Sequence, residues 1–457
     1  MPSLRSTPPP CMTSVRFLIA AACLAVGPSL GAANIFPTSP LIQLGNDTDI
    51  FFDSSFALDI TDNLYTTANA VSATSWTVTP GLALEYGKDS AFAVNFSARR
   101  NIVRYNKASL ADLEDDRDAL SASIRADDGG PLSLSLDSSY RITVRNDDLA
   151  QQGVGTSVPL GANLLRQSNY SHAFEAKYKL TEKINVTLGF TNTYNHYLNP
   201  VKVVENVETT GLPSPPFTDP NPGIKTSYNT NGLTELNTKA IPLEVIYQAF
   251  EKLSFGLRYQ HDITDYSPAP YFSQNTSTAT PGLITTERPT GSYPLQMRKH
   301  FYGLTAKGDP TGAGKLNVTA RAGYATSSVD GAANEQIPSF SINLQHSLTE
   351  KVNHSLALSR DINANNTGGQ IDSKSYTYTM NFTAAEDLSF NLGATKSDVL
   401  AGTTVVNTMV YNLGADYKYN PHLSFTLAYS FTDSKLPGNA AANFQANALT
   451  ISGAFRY

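Results

Sequence analysis

Imidazole is the side chain that exchanges protons near neutral pH, so the seven histidines are the first place to look for chemistry. His261, beside Asp262, near Asp265 and followed by Ser267, is the one group whose residue types suit acid–base or nucleophilic work. In an extended chain, adjacent side chains point to opposite faces, so His261 and Asp262 do not meet on one strand. The remaining histidines are scattered. His172, His300, His346 and His354 fall on one apolar face or its rim, His196 lies with His261 toward strand tops, and His422 lies in a turn. No zinc signature, phosphate loop or nucleophile elbow occurs. These residues point to a protein that is not an enzyme and has no cofactor or metal centre.

A second set carries charge rather than reactivity. Arg99, Arg125, Arg141, Arg145, Lys179, Arg258, Arg321 and Asp416 all sit on the polar side of alternating segments. Cations along a wet wall can select anions, whereas cations that pair with carboxylates across strands only stiffen the wall. Both readings stay open. The acidic run Asp112, Glu114, Asp115, Asp116 and Asp118 is oxygen-rich, but it matches no calcium loop and Arg117 interrupts it. It reads as a solvated acidic loop or the top of the next strand.

The elements that position these residues show best in the last stretch, ALTISGAFRY. Strand side chains alternate between faces, so Leu449, Ile451, Phe455 and Tyr457 share an apolar face while Thr450, Ser452 and Arg456 share a polar one. A terminal aromatic on the apolar face reads as the closing strand of an outer-membrane barrel, the segment read by the barrel assembly machinery. The same alternation recurs after tight polar turns, as in TEKINVTLGF from Thr181, FEKLSFGLRY from Phe250, TEKVNHSLAL from Thr349, AEDLSFNLGA from Ala385 and NPHLSFTLAY from Asn420. Looser copies begin at Gly87, Gly129 and Gly312.

Long irregular connections lie between these turns, at 62–73, 105–116, 146–167, 198–236, 267–296, 328–337, 363–372, 399–407 and 434–444. Short turns on one side and long loops on the other are the asymmetry of a transmembrane antiparallel up-and-down β-barrel. Eight turns predict an all-β barrel of about 18 strands, with 16 as the alternative. Each strand needs roughly 9 to 11 residues to cross a bilayer. The doubtful strands are the eighth, where Pro242 calls for a bulge or an edge, and the tenth, near Met297 to Lys307, where either face could be apolar. One of the loops 198–236 and 267–296, rich in Pro, Ser, Thr and Asn, is the candidate to fold inward.

The domain plan is simple. Residues 1–33 read as a signal peptide with a true start possible at Met12, residues 34–49 as a short periplasmic lead, and residues 50–457 as the barrel. Cys23 faintly matches a lipoprotein site but lacks the usual Leu; with Cys11 it falls within residues 1–33, so the mature chain has no thiol. Losing Arg5 and Arg16 leaves 31 basic residues against 39 acidic ones, a net charge of −8 that argues against a nucleic-acid partner. Charged residues make up 16% of the chain, below the roughly 25% of soluble domains, as a half-apolar sheet in a membrane requires.

FALDITDNLY (Phe56 to Tyr65), SWTVTPGLALEYG (Ser75 to Gly87) and FAVNFSARRNIVRY (Phe92 to Tyr105) together resemble the start of bacterial outer-membrane β-barrel porins of the second type, found beside exopolysaccharide genes. The resemblance covers about a quarter of the chain and supplies no catalytic residues. Together with the charged polar face it points to a porin-like channel for small polar or anionic solutes, with an exit barrel working with polysaccharide export components as one alternative and an outer-membrane enzyme built on His261 as a disfavoured one. The expected partners are outer-membrane lipid and lipopolysaccharide, and the expected state is monomeric or trimeric.

Overall fold

Every short turn expected from the sequence joins two antiparallel strands in the computed structural model. The structure describes residues 40–457 except 65–69, 89, 109, 111–113, 146–164, 199–203, 210–222, 229–233, 269–270, 278–282, 288–295, 313, 331–333, 366–368, 402–403 and 438–442. The signal-peptide expectation for 1–33 lies outside the described residues.

The lead contains a short strand of its own. β1 (Ile42–Leu44) turns back at Gly45, whose φ of 70° is the left-handed region, and pairs Ile42 to Leu44 with Thr48 to Ile50 of the next strand. The barrel begins there with β2 (Thr48–Thr61), β3 (Ala73–Tyr86), β4 (Phe92–Tyr105), β5 (Asp115–Asp127), β6 (Leu132–Arg145), β7 (Leu165–Lys179) and β8 (Ile184–Tyr197). The next connection holds β9 (Val204–Thr209) and β10 (Gly223–Tyr228), and the barrel resumes with β11 (Thr234–Phe250) and β12 (Leu253–Pro268). β13 (Tyr271–Ser277) and β14 (Leu283–Glu287) occupy the following connection. The wall then runs through β15 (Gln296–Gly308), β16 (Leu316–Val329), β17 (Glu335–Ser347), β18 (Val352–Ala364) and β19 (Gln370–Ala385). It finishes with β20 (Leu388–Ala401), β21 (Thr404–Asn420), β22 (Leu423–Lys435) and β23 (Phe444–Arg456).

Each barrel strand pairs with the next, and β23 pairs back with β2, which closes 18 strands without an edge. Closure extends past the last strand: Tyr457 N donates to Phe52 O at 3.0 Å and Phe52 N to Tyr457 O at 2.7 Å. The two long connections contain more than loop. β9, β10, β13 and β14 form their own antiparallel sheet, in which β10 and β13 join segments from different connections.

Pro242 makes neither the bulge nor the edge expected of it. β11 keeps one register with β8 on either side of it, Ala240 opposite Thr191 and Leu243 opposite Leu188. The ring fits because the facing residue is Gly189, where a Cβ would come 2.7 Å from Pro242 Cγ. The tenth strand resolves in the same physical terms. His300, Tyr302 and Leu304 face outward, while Phe301 faces in and lies under the Arg321 guanidinium, 5.4 Å from the ring centroid. Two apolar faces made its polarity hard to read.

The outward face carries Phe56, Leu82, Phe96, Leu120, Leu188, Leu257, Leu413 and Leu427, all exposed, as a surface meant for lipid must be. Barrel strands are 13 to 17 residues long rather than the bilayer minimum. At about 3.3 Å per residue and ~40° tilt, 14 residues climb about 35 Å, against an apolar band of about 25 Å. The excess lies at the loop ends, where the outward series turns charged. On β4 the outward residues Phe92, Val94, Phe96 and Ala98 are followed by Arg100 and Arg104, and on β22 Leu427, Tyr429 and Phe431 are followed by Asp433 and Lys435.

Candidate functional site: the lumen and its inward hairpin

The lumenal face is lined by hydroxyls, amides and charges, and the strand pairing places them in rows. One row crosses the closing seam: Arg456, Asp53, Gly81, Arg99, Ala119 and Arg141 are successive partners from β23 to β6. Gly81 has no side chain, so the Arg99 stem lies across it and Nη2 reaches Asp53 at 3.1 Å. Arg456 sits 3.6 Å from Asp53, pairs with Glu85, and covers the Phe51 ring at 4.0 Å. Below this row the wall opens into a recess of about 370 Å³ bordered by Asp53, Ser97, Arg99, Ser121, Asp137 and Arg456.

Among the basic residues singled out from sequence, Arg125 and Arg141 face the lumen exposed, and no carboxylate lies within 4.0 Å of either among the described residues. Lys179 is exposed at the short-turn end of β7. Arg258 donates to Gln260 Oε1 at 2.8 Å, and Gln260 in turn donates to Asp262 at 2.8 Å. Arg321 approaches Asp361 at 3.6 Å. Asp416 accepts from Thr426 at 2.6 Å and Asn391 at 3.1 Å. The Arg145 side chain lies outside the described residues. The set is divided: Arg99 and Arg321 meet carboxylates, whereas Arg125 and Arg141 face the lumen with none within 4.0 Å among the described residues.

The acidic run takes the second of the two places expected for it, the top of the next strand. Glu114 lies just before β5 and Asp115, Asp116 and Asp118 lie at its top, while Asp112 falls outside the described residues. Arg100 and Arg104 meet Asp116 at 3.0 and 3.1 Å, and Arg166 meets Asp115 at 3.0 Å. The C-terminal residues stand as expected, with Leu449, Ile451 and Phe455 outward and Tyr457 beside His422, ring centroids 5.2 Å apart.

The feature that sequence reasoning missed is the top of the β18–β19 hairpin. β17 and β18 pair only as far as Phe340 with Arg360, although both strands continue. Beyond that point β18 leaves the wall and bends into the lumen. Ile362 is 0% exposed and packs with Leu236, Tyr266, Met297, Ala325 and Val329, inward residues of β11, β12, β15 and β16. The bend is held by charge. Lys299 Nζ lies 3.1 Å from both Asp262 and Asp361 and donates to Ile362 O at 3.1 Å, with 10% of its side chain exposed. Ser339 donates to Asp361, Tyr266 Oη to Gly369 O at 2.8 Å, and Ser327 to Gln370 at 2.6 Å. Arg360 grips Asp372 through Nε and Nη2, the latter at 2.7 Å. The hairpin therefore takes up part of the mouth. Isoleucine, asparagine and glycine in a loop gave no sign of it. Most of the loops 198–236 and 267–296, one of which the sequence marked as the candidate to fold inward, lies outside the described residues.

His261 lies mid-strand on the outer face rather than at a strand top, its ring 4.4 Å from His300, while Asp262 faces the lumen. The His–carboxylate pair present is another one: His196 Nδ1 lies 2.6 Å from Glu235, which also accepts from Tyr194 Oη at 2.9 Å. Glu235 also accepts from Tyr197 N at 3.3 Å, so the group ties the top of β8 to β11.

A closed barrel with an apolar belt outside and a charged lumen belongs in the bacterial outer membrane. No protein-family model matches the chain, and no curated protein does. Among solved structures it is similar to the outer membrane protein OpdK of Pseudomonas aeruginosa, at 12% identity over 90% of this chain and 99% of that one, TM-score 0.43. OpdQ of the same organism gives 12% identity over 90% and 99%, TM-score 0.44. The FrpB iron transporter of Neisseria meningitidis gives 11% over 86% and 62%, TM-score 0.44.

Proposed function

We propose that the protein is a porin, a passive channel for small polar or anionic solutes through the barrel lumen. The observation that carries this reading is the wall itself. An 18-stranded barrel is wide enough to hold water, and its inner face spends charge, hydroxyl and amide groups that would be costly in a dry core. Arg125 and Arg141, which have no carboxylate within 4.0 Å among the described residues, supply the anion preference. The inward hairpin sets the narrow point. It also argues against the exopolysaccharide exit barrel, for which a wide mouth is needed.

The test is single-channel conductance of the refolded chain in asymmetric KCl. Stable open steps with anion preference are expected, and Arg125→Gln with Arg141→Gln should move the reversal potential toward cation preference. A folded, heat-modifiable barrel with no conductance would refute the porin reading.

A further inference from the structure

Three adjacent strands place His346, His354 and Met380 side by side on the outer face. Their register is direct, His346 opposite His354 and His354 opposite Met380. The two imidazoles converge, His346 Nδ1 standing 2.9 Å from His354 Nε2. Two imidazole nitrogens bound to one metal at about 2.0 Å would be about 3.3 Å apart at a tetrahedral angle and about 3.5 Å apart at the trigonal angle of a three-coordinate ion, so ring rotation of about half an ångström opens the gap. The row is flanked by Leu316, opposite His346, and Leu392, opposite Met380, so it is apolar on both sides. It is also at the rim, because His346 is the last residue but one of β17 and the turn 348–351 follows. An ion could therefore enter from the periplasmic water without crossing lipid.

We infer that His346, His354 and Met380 form a binding site for a soft transition-metal ion, copper(I) above zinc(II). Two imidazoles and a thioether are a soft, three-coordinate donor set, and a thioether adds affinity for copper(I) that it does not add for zinc(II). In the empty pair one ring donates its N–H to the other. On binding, that ring carries its proton on the other nitrogen, so both facing lone pairs reach the metal and no proton is lost. The other close histidine pair lacks this geometry. His261 and His300 stack at an interplanar angle of 22°, and His300 Nδ1 is taken by Tyr259 Oη at 3.0 Å.

The experiment is anaerobic competition for copper(I) between the detergent-solubilised full chain and the chromophoric chelator bicinchoninate, with zinc(II) titrated in parallel. One equivalent of copper(I) should be withdrawn. His354→Gln should weaken both metals by about tenfold or more, Met380→Leu should weaken copper(I) alone, and His300→Gln should change neither. Heat-modifiable migration checks that each variant is folded. The site is disproved if no copper(I) is withdrawn or if His354→Gln binds as the parent does. Equal copper(I) affinity in Met380→Leu would overturn the soft-ion assignment.

Discussion

Lys299 is one ammonium serving two carboxylates and a carbonyl where water has little access, so its removal leaves Asp262 buried without a counter-charge and Asp361 with only the longer contact to Arg321 at 3.6 Å. Breaking a buried pair in this way costs on the order of 3–5 kcal/mol. The hairpin top is held to the wall by these contacts and not by strand pairing, so it is the part that should yield. Lys299→Ala is expected to give larger or noisier open steps in planar bilayers while the barrel remains heat-modifiable. Lys239, half-exposed on the outer face and 3.0 Å from Asp265, is the control. An exposed pair is worth about 0–1 kcal/mol, so Lys239→Ala should leave conductance unchanged. Equal conductance in Lys299→Ala would show that the hairpin does not limit flow.

At the scale of elements, a proline in a central strand is tolerated because of its neighbour. Pro242 offers no N–H to β8, and its ring occupies the space that a side chain on residue 189 would need. Gly189→Val should therefore overpack the wall and cost about 1–3 kcal/mol, read as a lower midpoint of the folded band on heating. Pro242→Ala should recover most of that loss when combined with it, because the clash is with the ring. Additive effects in the double variant would sink this explanation. The turns show how local chemistry fixes an element alone. Asp309 accepts from Thr311 N at 2.8 Å and from Thr311 Oγ1 at 2.6 Å, bonds that, with the Gly314 amide, hold its carboxyl below the usual carboxylate range. The bonds that shape this turn are local and legible in sequence, although Lys252 adds a contact to it, donating to Gly312 O at 2.7 Å.

For the whole molecule, closure is the decisive event, since an 18-stranded sheet left open would expose two hydrogen-bonding edges to lipid. Asp53 to Thr61 of β2 pair with Ala448 to Arg456 of β23, and Tyr457 adds two backbone bonds and a ring contact with His422. Deleting Tyr457 should lower the yield of heat-modifiable barrel in cells more than the stability of barrel already folded. The comparison to make is in-cell assembly against the thermal midpoint of refolded protein. A parallel fall in both would assign Tyr457 a structural role only, with no part in recognition by the assembly machinery.

The alternation of Leu423, Phe425, Leu427 and Tyr429 with Ser424, Thr426 and Ala428 determined which side meets lipid, because a strand has only two faces. The eight polar turns pointed to about 18 strands, because turn residues lie next to one another in the chain, and left 16 open only where Pro242 and the tenth strand blurred the pattern. Sequence alone thus pointed to the barrel, to about 18 strands with 16 as the alternative, and to the polar side of the strands for Arg99, Arg125, Arg141, Arg258, Arg321 and Asp416; the closed sheet decided for 18. Tertiary structure decided how the lumen is used. Ile362 is buried by residues 33 to 126 positions away, and Lys299 meets a carboxylate 62 positions on, contacts set by how three-dimensional neighbours curve around the barrel. The same holds for β10 and β13, which pair across two strands of wall, and for Pro242 with Gly189. Periodicity specifies a face; it does not specify which distant strand that face will touch.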